Sequence, residues 1–204
     1  RQHNIGDLPG KVSVLANRNK MVLARFADAT NYVIANNAQG TQAINNVRNN
    51  YQYKTGIGIN GEQALTKDLG IYGRAFTSDG HTETMSFTEA DNSISVGMGM
   101  NGTRWSRPSD SIGVSVMQNG LSSYRRAYLQ AGGISYFIGD TPSPYAGPGQ
   151  TINYRPERIG EIYYNALLVK NVLLGVNFQH INNPAYNAAR GPVNIASFRI
   201  HAEF

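Results

Sequence analysis

The sequence contains no cysteine, which removes disulfide scaffolds, thiolate zinc sites and thiol nucleophiles at once. The redox compartment stays open, because a chain without thiols suits oxidising and reducing surroundings alike. Charge is scarce too. Asp, Glu, Lys and Arg make up 15% of the 204 residues, against roughly 25% in an ordinary soluble domain. The net charge of +5 is spread, with no basic cluster longer than Arg125-Arg126, so no nucleic-acid partner is expected. No apolar run approaches the roughly 18 residues that a spanning helix needs. The opening Arg1-Gln2-His3 carries no apolar secretion segment, so any signal peptide is expected to be absent or already removed.

What the chain does have is glycine (22 residues), tyrosine in excess of phenylalanine (12 against 7) and recurrent asparagine, a mixture suited to strands and turns. Alternation with a period of two dominates. In Ser93–Gly102, Ile94, Val96, Met98 and Met100 oppose Ser93, Ser95, Gly97, Gly99 and Asn101. In Asn171–Gln179, Val172, Leu174, Val176 and Phe178 oppose Gly175, Asn177 and Gln179. Glu161–Leu168, Lys54–Leu65 and the final Ser197–Phe204 repeat the pattern, and Leu69–Thr77, Ser111–Gln118 and Lys11–Asn19 carry it less cleanly. The chain is therefore predicted to be all-β, with about eight antiparallel strands.

The connections alternate as well. Thr66-Lys67-Asp68, Ser106–Asp110 and Lys170-Asn171 read as short turns, whereas 20–50, 79–92, 119–156 and 182–192 read as long links. A soluble sandwich has no reason to keep that rule, since both its ends are wet. A transmembrane antiparallel β-barrel in an outer membrane does, with short periplasmic turns and long external loops. The polar face, rich in Gly, Ser and Asn with isolated Arg and Glu, suits a watery lumen, leaving the apolar face for lipid. Tyr51, Tyr53, Tyr164, Phe178, Phe198 and Phe204 near strand ends fit interfacial girdles. Within the 119–156 link, residues 121–131 are predicted as a short helix with Leu121, Tyr124, Tyr128 and Ala131 on one stripe, stopped by Gly132-Gly133. That link is either a surface cap or a plug in the lumen.

Catalytic chemistry finds little footing. His3, His81, His180 and His201 show no metal-ligand spacing, no Gly-x-Ser-x-Gly elbow occurs, and the glycines at 56–61 alternate along a strand instead of opening a helix. Glu89 and Asp91 read as a solvated turn. No enzyme activity and no cofactor are expected. By strand parity the lumen face carries Lys54, Asn60, Glu62, Arg74, Glu161, Asn165, Asn177, Gln179 and Arg199, with Arg74, Glu161 and Arg199 expected at a constriction. Arg190 is expected to order its loop.

Several stretches resemble the carbohydrate-selective porin family of the OprB type. They are Lys54–Gln63 (KTGIGINGEQ), Gly73-Arg-Ala-Phe76 with Asp79-Gly80, Phe87–Asp91 (FTEAD), Gly102–Pro108 (GTRWSRP) and Asn119–Ser122. Tyr128–Gly133 (YLQAGG), Glu161–Tyr164, Asn182–Val193 (NNPAYNAARGPV) and Arg199–Phe204 (RIHAEF) follow in order. Residues 50–204 resemble the C-terminal half of that family, and 11–35 resemble it less specifically. The resemblance implies a sixteen-stranded outer-membrane barrel that passes sugars such as glucose by facilitated diffusion. Eight strands leave an interior that side chains fill, so this chain is expected to be the C-terminal part of one barrel domain whose N-terminal half lies elsewhere. Phe204, ending an alternating strand, resembles the signal read by the barrel-assembly machinery. Outer-membrane lipid and small carbohydrates complete the expected partners. The alternatives are a soluble secreted carbohydrate-binding β-sandwich, with its apolar faces packed together, and a barrel for polysaccharide export or anchoring.

Overall fold

In an extended chain successive side chains point to opposite sides, so alternating segments can bury or expose a whole face only by pairing in register. The computed structural model, which describes residues 1–84, 89–134 and 153–203, shows this pairing throughout. Nine strands form one antiparallel sheet in simple sequence order. They are β1 (Gln2–Ile5), β2 (Leu8–Val22), β3 (Tyr51–Ala64), β4 (Leu69–Ser78) and β5 (Asn92–Gly102). β6 (Arg107–Gly120), β7 (Glu157–Val169), β8 (Val172–Asn182) and β9 (Val193–Ala202) complete it. From β2 onward the strands run for 10 to 15 residues, enough for the roughly 9–11 residues of a tilted membrane crossing.

The sequence expectation of eight strands is one short. β1 escapes pattern reading because Gln2-His3-Asn4-Ile5 has no apolar alternation; pairing from Gln2↔Lys11 to Ile5↔Leu8 holds it instead. The expected turn at 106–110 is displaced. The chain reverses through a 3-10 turn at Thr103–Trp105, with Ser106 in the left-handed region at φ 62°, and Arg107–Asp110 already belongs to β6. Pro108 is tolerated inside the strand. The register jumps from Asn101↔Ser111 to Gly102↔Arg107, so Pro108 sits where β5 asks no ladder hydrogen bond of it.

Directly paired residues share a face, and the register sorts every strand. On the outer face Ile94, Val96, Val176 and Ile200 are 59%, 54%, 47% and 64% exposed, which excludes a sandwich core around them. The soluble sandwich fails for that reason, and because the described strands form a single sheet. Greasy side chains displayed in unbroken rows need another solvent.

The only packed core among the described residues lies in the long links. The 20–50 stretch, expected as a loop, holds helix α1 (Phe26–Ala35) and a 3-10 turn at Ala43–Val47. Helix α2 (Ser123–Gln130) answers to the predicted 121–131 helix; the Ser122 hydroxyl accepts the Arg125 N–H at 3.1 Å, and Gly132, at φ 100°, supports the exit. Phe26, Ala29 and Val33 of α1 pack with Tyr128 and Leu129 of α2, and Leu121, Ile44 and Tyr186 join them. The buried stripe differs from the expected one: Arg125 takes the place of Tyr124, which is exposed and sets its ring, tilted by 43°, with its centroid 4.2 Å from that of His81.

Candidate functional site

Two structures make up the site: the inner face of the sheet and the loop cluster over its long-link end. The inner face is identified by what touches the cluster. Lys54 Nζ donates to the Thr82 carbonyl at 3.0 Å, and the Glu157 carboxylate accepts the Ala185 N–H at 3.0 Å. All nine sequence-predicted residues fall on this face by register: Lys54, Asn60 and Glu62 on β3, Arg74 on β4, Glu161 and Asn165 on β7, Asn177 and Gln179 on β8, Arg199 on β9.

The structure brings only some of them together. Arg74 Nε donates to Asn60 Oδ1 at 3.0 Å, and its guanidinium lies 5.4 Å from the Tyr72 ring. Asn177 Nδ2 donates to Glu161 Oε1, and Asn165 Nδ2 to Ser111 Oγ at 3.4 Å. Glu62 stands opposite Tyr72, Gln179 opposite Glu161, and Arg199 opposite Gly175. Arg74, Glu161 and Arg199 form no ion pair with one another among the described residues. Lys54 is drawn up into the loop cluster.

Two inner-face aromatics are not among the expected site residues: alternation sets Tyr163 on the polar face of its strand with Glu161 and Asn165, and Tyr72 goes unread. Tyr72 lies across Gly97 and Tyr163 across Gly113, each ring covering the strand directly opposite. A Cβ built on Gly97 would meet the Tyr72 ring at 2.7 Å, and one on Gly113 the Tyr163 ring at 2.5 Å. The glycines are the signal that could have found them: removing a side chain is how a wall lets a ring lie flat.

The loop cluster is ionic at its heart. Arg125, 2% exposed, donates through Nη1 to Glu89 Oε2 at 2.6 Å and sits 3.2 Å from Asp91 Oδ1, over the Phe26 ring at 5.0 Å. Asp91 also accepts the Ser122 N–H at 2.8 Å. Glu83 accepts the Ala24 N–H at 2.7 Å and Arg48 Nε at 2.6 Å. The solvated turn expected for Glu89 and Asp91 is thus corrected: Asp91 is 1% exposed, because the buried guanidinium needs carboxylates around it. Burial pushes the Tyr128 and Tyr186 hydroxyls up, so both remain donors, to the Ile134 and Glu89 carbonyls, each at 3.0 Å. These bonds link all four long connections into one unit.

The outer face completes the picture. At the short-turn end Trp105 Nε1 donates to the Tyr164 hydroxyl at 3.1 Å, which donates to Asp110; Asp110 pairs with Arg107. At the long-link end Arg18 lies 3.9 Å over the Tyr53 ring, with Lys20 and Tyr51 beside it. Trp105 and Tyr164 at one end and Tyr51 and Tyr53 at the other flank an aliphatic band, whereas Phe178 and Phe198, expected in the girdles, lie in mid-strand on β8 and β9. Short turns at one end oppose long loops at the other, and the inner face carries most of the strands' Gly, Ser, Asn and charged residues. Together these define the wall of an outer-membrane β-barrel.

The chain belongs to the carbohydrate-selective porin, OprB family, whose profile matches residues 1–204. The match extends the resemblance of 50–204 to the whole sequence. The family is one of channels. In fold the chain is similar to the high-pH structure of Pseudomonas putida OprB, with a TM-score of 0.73 at 20% identity. That likeness covers 100% of this chain and 46% of the other, so the chain spans under half the length of its structural relative. No curated protein matches the sequence. Phe204 lies outside the described residues, as do 85–88 and residues 135–152 of the 119–156 link.

Proposed function

We propose that this chain is the C-terminal part of a larger outer-membrane barrel that passes small neutral sugars by facilitated diffusion, without catalysis. The observation that carries the reading is the sorting of one nine-stranded sheet into a mainly aliphatic outer face and an inner face where Gly, Ser, Asn, Tyr and isolated charges stand among fewer aliphatics, such as Met117, Ile159, Ile181 and Ile195. The sheet is open between β1 and β9, and open edges are costly in hydrocarbon. The half-length alignment with a barrel of the same fold supports a complementary half that closes it. The C-terminal Phe204 is proposed as the handle for assembly machinery.

A sugar offers hydroxyls all round its ring and patches of apolar C–H. A channel favours it by supplying replacements for lost water and flat surfaces for stacking, each weak enough to release. Asn60, Glu62, Arg74, Glu161, Asn165, Asn177, Gln179 and Arg199 supply donors and acceptors, and Tyr72 and Tyr163 supply the surfaces. Lys54 anchors the loop cluster to the wall. Arg74 and Glu161 bond to neutral amides, which leaves both signs of charge in the lumen without a one-signed field to sort ions. Liposome swelling with glucose-sized sugars tests the reading on the intact barrel. Arg74→Ala with Arg199→Ala should change sugar flux and single-channel conductance by severalfold at unchanged assembly; unaltered flux and conductance would remove these residues from the pathway.

A further inference from the structure

We propose that the outer face carries a binding site for a phosphorylated glycolipid of the outer leaflet, at a notch over Gly160. The proposal rests on the barrel reading for which face meets lipid, and on nothing about sugar. Two neighbouring rows of the register build the notch. The upper row runs Ile94–Gln118–Arg158–Asn182, and the lower runs Val96–Val116–Gly160–His180–Asn194. Both lie toward the long-link end, since Arg158 is the second residue of β7 and Asn182 the last of β8. Gly160 leaves the floor open: a Cβ there would meet nothing within 4 Å. The resulting groove encloses about 450 Å³.

Its chemistry is asymmetric along the membrane normal. Arg158 donates Nε to Gln118 at 3.0 Å, and His180 Nδ1 lies 2.7 Å from Asn194 Oδ1. Arg158 has no carboxylate partner among the described residues. The nearest acid in sequence, Glu157, points to the inner face, where Asn119 and the Ala185 N–H occupy it. Neither outer row contains Asp or Glu. One row below, Met98–Val114–Ile162–Phe178–Ala196 is wholly apolar. Gln118, Arg158 and Asn182 therefore stand about 13 Å, four residues of strand rise, above this wholly apolar row, with His180 and Asn194 about 7 Å above it. A soluble anion would use only the upper part, and an uncharged acyl chain only the lower. An amphiphile with a phosphate next to its acyl chains uses both, and Arg is the side chain that grips phosphate through paired N–H donors.

The test uses the intact barrel, delipidated in detergent and titrated with lipid A or its dephosphorylated form, with bound lipid counted by native mass spectrometry. Lipid A should bind the wild type about tenfold more tightly than the dephosphorylated form. Arg158→Gln should lose about five- to tenfold of that affinity. Gly160→Leu, which fills the notch where there is open space, should lose binding without touching a charge. Heat-modifiable migration and sugar flux should stay unchanged in both variants, which separates this site from the channel reading. Equal affinity for the two lipids, or full retention by both variants, would overturn the site. A dimer that Arg158→Gln abolishes would assign the face to a second copy and overturn it equally.

Discussion

Replacing Gly97 by Ala adds one methyl group to the inner face, and the structure specifies what it meets. The new Cβ would stand 2.7 Å from Tyr72 ring atoms, where carbon atoms rest at about 3.5–4.0 Å, so the ring must retreat by about 1 Å. Overpacking of this kind costs about 1–3 kcal/mol. Against it stands the gain from stiffening the unfolded chain, about 0.4–1 kcal/mol for Gly→Ala. The clash should win, with a net loss of about 1–2 kcal/mol. Gly99, two residues along the same face, is the control. There a Cβ would find its nearest neighbour, the Tyr163 hydroxyl, at an ordinary 3.7 Å, so Gly99→Ala should be neutral or mildly stabilising. Urea unfolding of the intact barrel in lipid vesicles measures both. Tyr72→Ala removes the obstacle, and on that background Gly97→Ala should cost nothing, a coupling of about 1 kcal/mol or more. Conductance gives a second reading, because a ring pushed off the wall has only the lumen to enter. If Gly97→Ala behaves like Gly99→Ala in both measurements, the rings do not lie flat on glycine and the stacking surface proposed for sugar is gone.

The loop cluster yields two further predictions. Arg125→Ala takes the guanidinium from the buried Asp91, at about 3–5 kcal/mol, and the loss should be confined to the loops. Hydrogen exchange should quicken in α1 and α2 while the amides of β3 to β8 keep their protection; uniform loss would refute a separate loop unit. Asp79 tethers the start of the β4–β5 link by accepting the Thr55 N–H at 2.6 Å and the His81 N–H at 3.0 Å. Burial pushes its carboxyl up, but these N–H donors, the Lys54 charge and the Thr55 hydroxyl outweigh burial and hold it below the ordinary 3.8. A depressed folded value means the tether is intact above that ordinary value and fails as pH falls below it. Exchange at Thr55 and His81, corrected for intrinsic rates, should be flat from pH 8 to 5 and rise below about pH 4. Asp79→Asn should show the raised rate at every pH, and a wild-type rise between pH 5 and 7 would refute the assignment.

How much of this was legible in the sequence divides along one physical line. A wall strand needs only its own period of two, so Ile94, Val96, Val176 and Ile200 declared their face without any knowledge of partners. The polar side of each strand, Gly, Ser and Asn instead of Lys and Glu, then told which face met water. β1 was silent because Gln2-His3-Asn4-Ile5 owes its extension to β2 alone. Tyr72 and Tyr163 show an intermediate case: parity turns Gly97 and Gly113 inward, yet which ring covers which glycine follows only once turn lengths set the register. The loop cluster was illegible for a stronger reason. Arg125 is buried by Glu89 and Asp91, which stand 34–36 residues upstream on another link, so helical spacing alone chose Tyr124 for the stripe. The same division separates two kinds of bond: the inner-wall charges Arg74 and Glu161 bond to amides on the adjacent strand, whereas the buried ions that fix loop shape join residues of different links, where no periodicity announces them.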